Sequence, residues 1–327
     1  MEERPESRRI LSIDGGGIMG TCPAAFLACL EEGLGRPIGE YFDLIAGTST
    51  GGILAIGLAM GLPARDLLAF YEDRGPEIFG QGGVRGLAWL GGVFRSAKWI
   101  VGPKHDAQRL RGVLSDVLGD RRIGDARQRL LIPAWEPDRR SVYIYKTAHH
   151  ERLRTDYRKL AIDAAMGTSA APTYFKTHKT ADGTGLMDGG VWANNPVALA
   201  VVEAITLLGW PAKSLNVLSL GCVNEVYLLG ETNGAAGLVF DMARLFMSGQ
   251  SHSALGMAKL LTGHEYERDA LLRICPEVPK GFFKLDDTTK TDRLKGLGYS
   301  LARENRHRVS PVFLTEPAAP FVPVYSL

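Results

Sequence analysis

The sequence predicts an α/β protein: a three-layer α/β/α arrangement around a mostly parallel central sheet, with a helical C-terminal extension. Short apolar, strand-like runs alternate with helix-like runs from residue 8 onward. The helix-like run after the second strand is apolar on nearly every face, and clusters of glycine stand at the strand-to-helix junctions. Alternation of this kind argues for parallel strands covered on both faces, and an all-round apolar helix belongs in the interior.

Element by element, "RILSID" is a buried strand stopped by Gly15, Gly16 and Gly17, and "PAAFLACLEEGLG" is a helix with Pro23 in its first turn and Gly33 at its end. "FDLIAG" is the second strand and "TGGILAIGLAM" its helix. "RLLIPAWE" and "SVYIYKT" form two strands around the polar turn "PDRR", and "SLNVLSLG" is a further buried strand. Asn195 and Pro196 supply the cap and first position of "PVALAVVEAITLLG", closed by Gly209. From residue 231 to "DALLRI" the chain reads as helices separated by glycines. Residues 8–200 are expected to form the main domain. Residues 201–327 are expected to complete the same fold with a helical, regulatory region, since no linker precedes them.

Composition narrows the class. Of 327 residues, 45% are hydrophobic and 23% charged, with a net charge of +2, which describes a globular protein and demands no nucleic acid polymer as partner. Cys22, Cys29, Cys222 and Cys275 form no C-x-x-C pair and have no histidine at zinc-finger spacing, so neither a disulfide framework nor a metal site is expected. No cofactor is expected for the chain. The start "MEERPESRR" is charged and unlike a secretory signal, which places the chain in the cytoplasm. "ILAIGLAMGL" is about half the roughly 20 residues that cross a bilayer, so membrane contact is expected to be peripheral.

Chemistry enters at "GTSTG", where Ser49 lies between Gly47 and Gly51. In G-x-S-x-G a serine sits on a tight strand-to-helix turn with its hydroxyl outward, at a helix N-terminus that favours developing negative charge. Ser49 or Thr48 as a plain helix cap is equally consistent with five residues. In "MGTSAAPTYF" Ser169 lacks the second glycine and is expected to be structural. "DGGGIMG" contains G-x-G-x-x-G from Gly15 to Gly20, which a nucleotide-binding module would use. The acid expected at the end of the next strand is missing, and three consecutive glycines also form an N–H nest suited to an oxyanion. For a base, His252, His264 and His307 are the late histidines a Ser-His-Asp carboxylesterase would need, while Asp188 in "MDGGVWANNP" is a carboxylate followed by Gly189 and Gly190. A turn aspartate is the plain alternative for Asp188.

Glycine nest, G-x-S-x-G and D-G-G in that order, with "TSAAPTYF", resemble the patatin-like phospholipase family over roughly residues 8 to 200. The resemblance implies a Ser-Asp dyad of Ser49 and Asp188, an oxyanion hole from Gly15, Gly16 and Gly17, and hydrolysis of membrane phospholipid esters. Met19 stands where the family's glycine loop commonly has arginine. "GGGIMGTCPAAFLACLEE" and "YFDLIAGTSTGG" are most similar to the bacterial branch activated by cyclic dinucleotides in antiphage defence, which implies such an activator. It would act by ordering a cover or the subunit interface of a homo-oligomer. Candidate ligands for its phosphates are the helical C-terminal region and Arg152, Arg154, Arg158 and Lys159, against the plainer expectation of a solvated face. Gly80 to Gly102, with Trp89, Phe94, Trp99, Arg85, Arg95 and Lys98, suits a cover or membrane patch, or a loop packed on the core.

Overall fold

The computed structural model describes residues 7–79, 104–226, 234–263 and 269–327; the segment 80–102 and His264, singled out above, lie outside them. Its central sheet runs β5-β6-β3-β2-β1-β7-β9, with β4 beside β3. The strands are β1 (Arg8–Ile13), β2 (Leu44–Gly47), β3 (Arg129–Glu136), β4 (Ser141–Lys146), β5 (His178–Lys179), β6 (Gly185–Asp188), β7 (Leu215–Leu220) and β9 (Leu271–Ile274). From β3 through β2, β1 and β7 to β9 all pairings are parallel, whereas β4 and β6 pair with β3, and β5 with β6, antiparallel. A separate parallel pair joins β8 (Asn224–Val226) to β10 (Glu277–Pro279).

Strand residues alternate between two cores. Leu11, Ile13 and Ile45 face a core shared with α1 (Thr21–Glu31), α2 (Thr50–Ala59), α3 (Ala64–Phe79), α4 (Ala107–Leu118), α5 (Ala161–Thr168) and α9 (Thr291–Phe313). Ile10, Leu44 and Ala46 face the other, shared with α7 (Val197–Thr206), which follows the short helix α6 (Gly190–Ala193), and with α8 (Gly234–Leu261). That is the expected three-layer order. All ten residues of α2 are buried, as its uniformly apolar sequence requires. Asn195 caps α7 by accepting from the Val197 N–H at 3.1 Å.

Two differences arise after residue 231. Gly249 and Gly256 interrupt nothing: α8 runs through both as a single 28-residue helix. "LLRI" is not helical but forms strand β9 beside β7. Four residues, three apolar and one arginine, carry no period that separates a strand from a helix, and pairing with β7 decides it.

Candidate active site

β2 is four buried residues, LIAG, whose exit turns sharply into α2. Glycine makes the turn possible: a Cβ on Gly47 would lie 2.1 Å from the Gly51 carbonyl oxygen, and one on Gly51 would lie 2.4 Å from that of Ile13. The turn leaves Ser49 at φ 54° and ψ −124°, a conformation that a residue with a side chain adopts only under constraint. Ser49 precedes the first turn of α2, yet its hydroxyl makes no cap. It donates to Asp188 Oδ2 at 2.7 Å. The Ser49 N–H donates to Thr168 Oγ1 at 3.0 Å, and that hydroxyl donates to the Pro133 carbonyl at 2.6 Å, which ties the turn to α5 and β3.

β3 brings the carboxylate to the serine. One edge of β3 is filled by β4 along residues 131–136. On the other edge β2 pairs with 129–131, and beyond its end β6 pairs with Ala134 and Trp135 from the opposite direction. Two strands that run toward each other along one edge bring their C-terminal ends together, here about 7 Å apart by strand rise. Gly189 then passes so close to β3 that a Cβ would lie 2.2 Å from the Pro133 carbonyl oxygen, and the Gly190 N–H donates to Asp188 Oδ1 at 2.7 Å. Asp188 is only 5% exposed. Burial pushes its carboxyl up to about 6, against the pull of the hydrogen bonds from Ser49 and Gly190.

The loop after β1 closes the third side. Gly15 packs against the elbow, where a Cβ would lie 3.2 Å from that of Ser49. Its N–H is engaged, donating to the Asn194 carbonyl at 3.0 Å. Among the described residues the N–H groups of Gly16 and Gly17 have no acceptor, and both residues line the same cavity as Ser49. Of the three amides expected to face an oxyanion, these two are open to it. Gly17 takes φ 57° and lies where a Cβ would come within 2.3 Å of the Leu285 carbonyl oxygen, and that carbonyl accepts the Ile18 N–H at 2.8 Å. Gly20 crosses α2 at Thr50. Met19 packs with Cys22, Val278, Phe283 and Leu294.

The loop has a cationic partner, from another strand. Asp14, between Ile13 and Gly15, is gripped by Arg273 of β9 through two hydrogen bonds of 2.9 and 2.5 Å, and Arg273 also donates to Ser219 Oγ at 2.9 Å. Burial works against both charges: it pushes the Asp14 carboxyl up despite the guanidinium beside it, while the carboxylate opposite makes Arg273 hold its proton more tightly than a free guanidinium.

Ser49, Asp188, Gly16 and Gly17 open into a cavity of about 810 Å³, walled by Ile53, Phe70, Ile78, Leu110 and Phe175. Its size falls in the range of about 300–1,000 Å³ usual for organic ligands. Ser169 lines it with a buried hydroxyl that has no hydrogen-bond partner among the described residues. No described histidine bonds to Ser49: His252 is exposed and contacts Ser248, His307 is exposed on α9, and the buried His149 is held by Thr147 and Glu203. In the basic cluster, Lys159 is engaged by Tyr143 at 2.8 Å and Asp182 at 3.1 Å. Asp43, at the start of β2, accepts from the Arg9 N–H at 2.8 Å and so lies at the end of the strand away from the glycine loop. Among the described residues no group of three or more His, Cys, Asp or Glu side chains could hold a metal, and no helix is long and apolar enough to cross a membrane.

Sequence reasoning passed over Thr168, Asn194 and Arg273. Thr168 sits inside the "TSAAPTYF" block and Asn194 beside the Asn195 cap, so both were within reach of local inspection. Arg273 has no local signal, because its partner lies 259 residues away.

Residues 11–201 match the patatin-like phospholipase family. The chain is 34% identical over 299 residues, 88% of its own length and 80% of the relative's, to a cGAMP-activated phospholipase of Pseudomonas aeruginosa. It is 35% identical over 234 residues to another protein of that name from Escherichia coli, covering 68% of this chain and 64% of the relative. It is 34% identical over 223 residues to patatin-like protein 2 of Oryza sativa subsp. indica, covering 62% of this chain and 54% of the relative. On the extent of these matches, the chain belongs to the patatin-like phospholipase family of acyl ester hydrolases.

Proposed function

We propose that the protein hydrolyses fatty-acyl esters of membrane phospholipids through a Ser49–Asp188 dyad, and that a cyclic dinucleotide switches it on as an effector of antiphage defence. The observation that carries the hydrolase is the 2.7 Å hydrogen bond from the Ser49 hydroxyl to a buried carboxylate at an apolar cavity. Ser49 Oγ attacks the ester carbonyl while Asp188 Oδ2 takes its proton. The carbonyl oxygen becomes an oxyanion facing the N–H groups of Gly16 and Gly17, with the N-terminus of buried α2 adding positive potential. Collapse expels the alcohol, which takes the proton back from Asp188, and leaves the acyl chain on Ser49. Water, deprotonated by Asp188, then adds to the acyl carbonyl; the bond to Ser49 Oγ breaks, the fatty acid leaves, and Oγ takes the proton back from Asp188. A carboxyl near pH 6 is a stronger base than an exposed aspartate and remains ionised at neutral pH.

Activation is supported by the similarity to cGAMP-activated phospholipases over most of the chain. The region 201–327 is the proposed regulatory part: it supplies Leu285 and Arg273, which hold the glycine loop from outside the matched family span. The protein acts from the inner membrane face, bound peripherally. Labelling with a fluorophosphonate, followed by peptide mapping, is expected to mark Ser49 and to fail in Ser49→Ala. Addition of cGAMP is expected to raise fatty-acid release from phospholipid vesicles by the wild type. A label on another residue would contradict the hydrolase, and an unchanged rate would contradict the switch.

A further inference from the structure

Val191, Phe246, Met247 and Leu285 are exposed apolar side chains, and all four line the cavity that holds Ser49. They therefore mark its mouth. Three separate elements supply them: the short helix Gly190–Ala193, α8, and the segment between β10 and α9. Phe246 is 65% exposed and Val191 54%. Away from the mouth, α8 continues the apolar surface with exposed Met257, Leu260 and Leu261. Lys280 lines the same cavity, and Lys284 is exposed beside Leu285, so cationic side chains flank the apolar ones.

We infer that this rim is a lipid-docking surface, seated on a phospholipid bilayer with the cavity mouth against the membrane. The inference rests on the proposed phospholipase activity. An acyl chain that leaves the bilayer through an open mouth must expose its methylenes to water, whereas a mouth sealed by apolar side chains lets the chain pass from one apolar medium to another. Aromatic and aliphatic side chains with Lys280 and Lys284 along one side match the acyl-to-headgroup boundary, where apolar groups bury and cations meet phosphate. A second copy of the chain on the same rim would close the cavity to substrate.

Binding is separable from turnover in a Ser49→Ala background. Co-sedimentation with vesicles of phosphatidylethanolamine and phosphatidylglycerol is expected to weaken about tenfold with Phe246→Asp and less with Phe246→Ser. Thermal melting reports that both variants fold, and Val322→Asp, which alters an exposed apolar residue off the rim, is expected to bind as before. Unchanged binding by both Phe246 variants overturns the inference, as does an equal loss with Val322→Asp. Conversion of a dimer to a monomer by Phe246→Ser with vesicle binding intact also overturns it, by assigning the face to self-association. Wild-type hydrolysis of a soluble short-chain ester, lost in Ser49→Ala, tests the hydrolase separately, so failure of that activity and failure of the rim give different results.

Discussion

Asp188 carries opposite demands. As the proposed base it must be ionised to take a proton from Ser49, and it is buried where ionisation is costly. With its carboxyl near 6 in the fold and 3.8 as the ordinary value, the folded state holds the proton more tightly than the unfolded one. The cost of its charge is therefore fully present above pH 6, about 3 kcal/mol, and disappears as pH falls through the ordinary value. Asp188→Asn is expected to raise the melting temperature at pH 8 and to lose most of that advantage at pH 4. Hydrolysis is expected to fall as pH drops through about 6, roughly tenfold per pH unit below it, because the protonated carboxyl cannot act as base. A rate that stays level down to pH 5 would show that another group takes the proton. Ser49 is a second site of tension, at φ 54° in a turn fixed by Gly47 and Gly51.

At the scale of elements, the site is made where strands end. β6 ends on Asp188, β2 ends two residues before Ser49, β1 ends just before the glycine loop, and β9 reaches across β7 to hold that loop. Arg273→Leu leaves Asp14 buried without its partner, which is expected to cost about 3–5 kcal/mol in denaturant unfolding. The double variant Asp14→Asn, Arg273→Gln removes the stranded charge and is expected to recover much of that stability. It is also expected to lower kcat on a soluble ester more than it raises KM, because the two open amides lose their anchor. Equal kcat in the double variant and the wild type would show that Arg273 serves the fold alone. The strand, glycine-loop and helix units at residues 8–33 and 42–60 were legible because each is local: an apolar run, glycines, then a helix. What the sequence could not display is the meeting of β2 and β6 on one edge of β3, which joins residues 139 apart through pairing alone. Motif chemistry identified Ser49 and Asp188 as candidates; sheet topology is what brings them into contact.

Across the whole molecule, the part beyond the family match is structurally continuous with the site. β7 pairs with β1 along its full length, α9 packs on the core with α1, and Leu285 supports the glycine loop. Residues 201–327 touch the glycine loop at two points, the Leu285 carbonyl at Ile18 and the Arg273 guanidinium at Asp14, and through these contacts the proposed regulation would reach the proposed oxyanion amides. Glycines within 234–261 suggested breaks because glycine weakens a helix by about 1 kcal/mol, too little to end one that packs against α7. In the proposed mechanism a two-residue dyad, with no histidine, performs the hydrolysis. Fatty-acid release from phospholipid vesicles in the presence of cGAMP, measured for wild type, Ser49→Ala and Asp188→Asn, tests it most directly. Both variants are expected to lose about a thousandfold or more in rate while remaining folded. Turnover retained in Asp188→Asn, or in Ser49→Ala, would contradict the dyad.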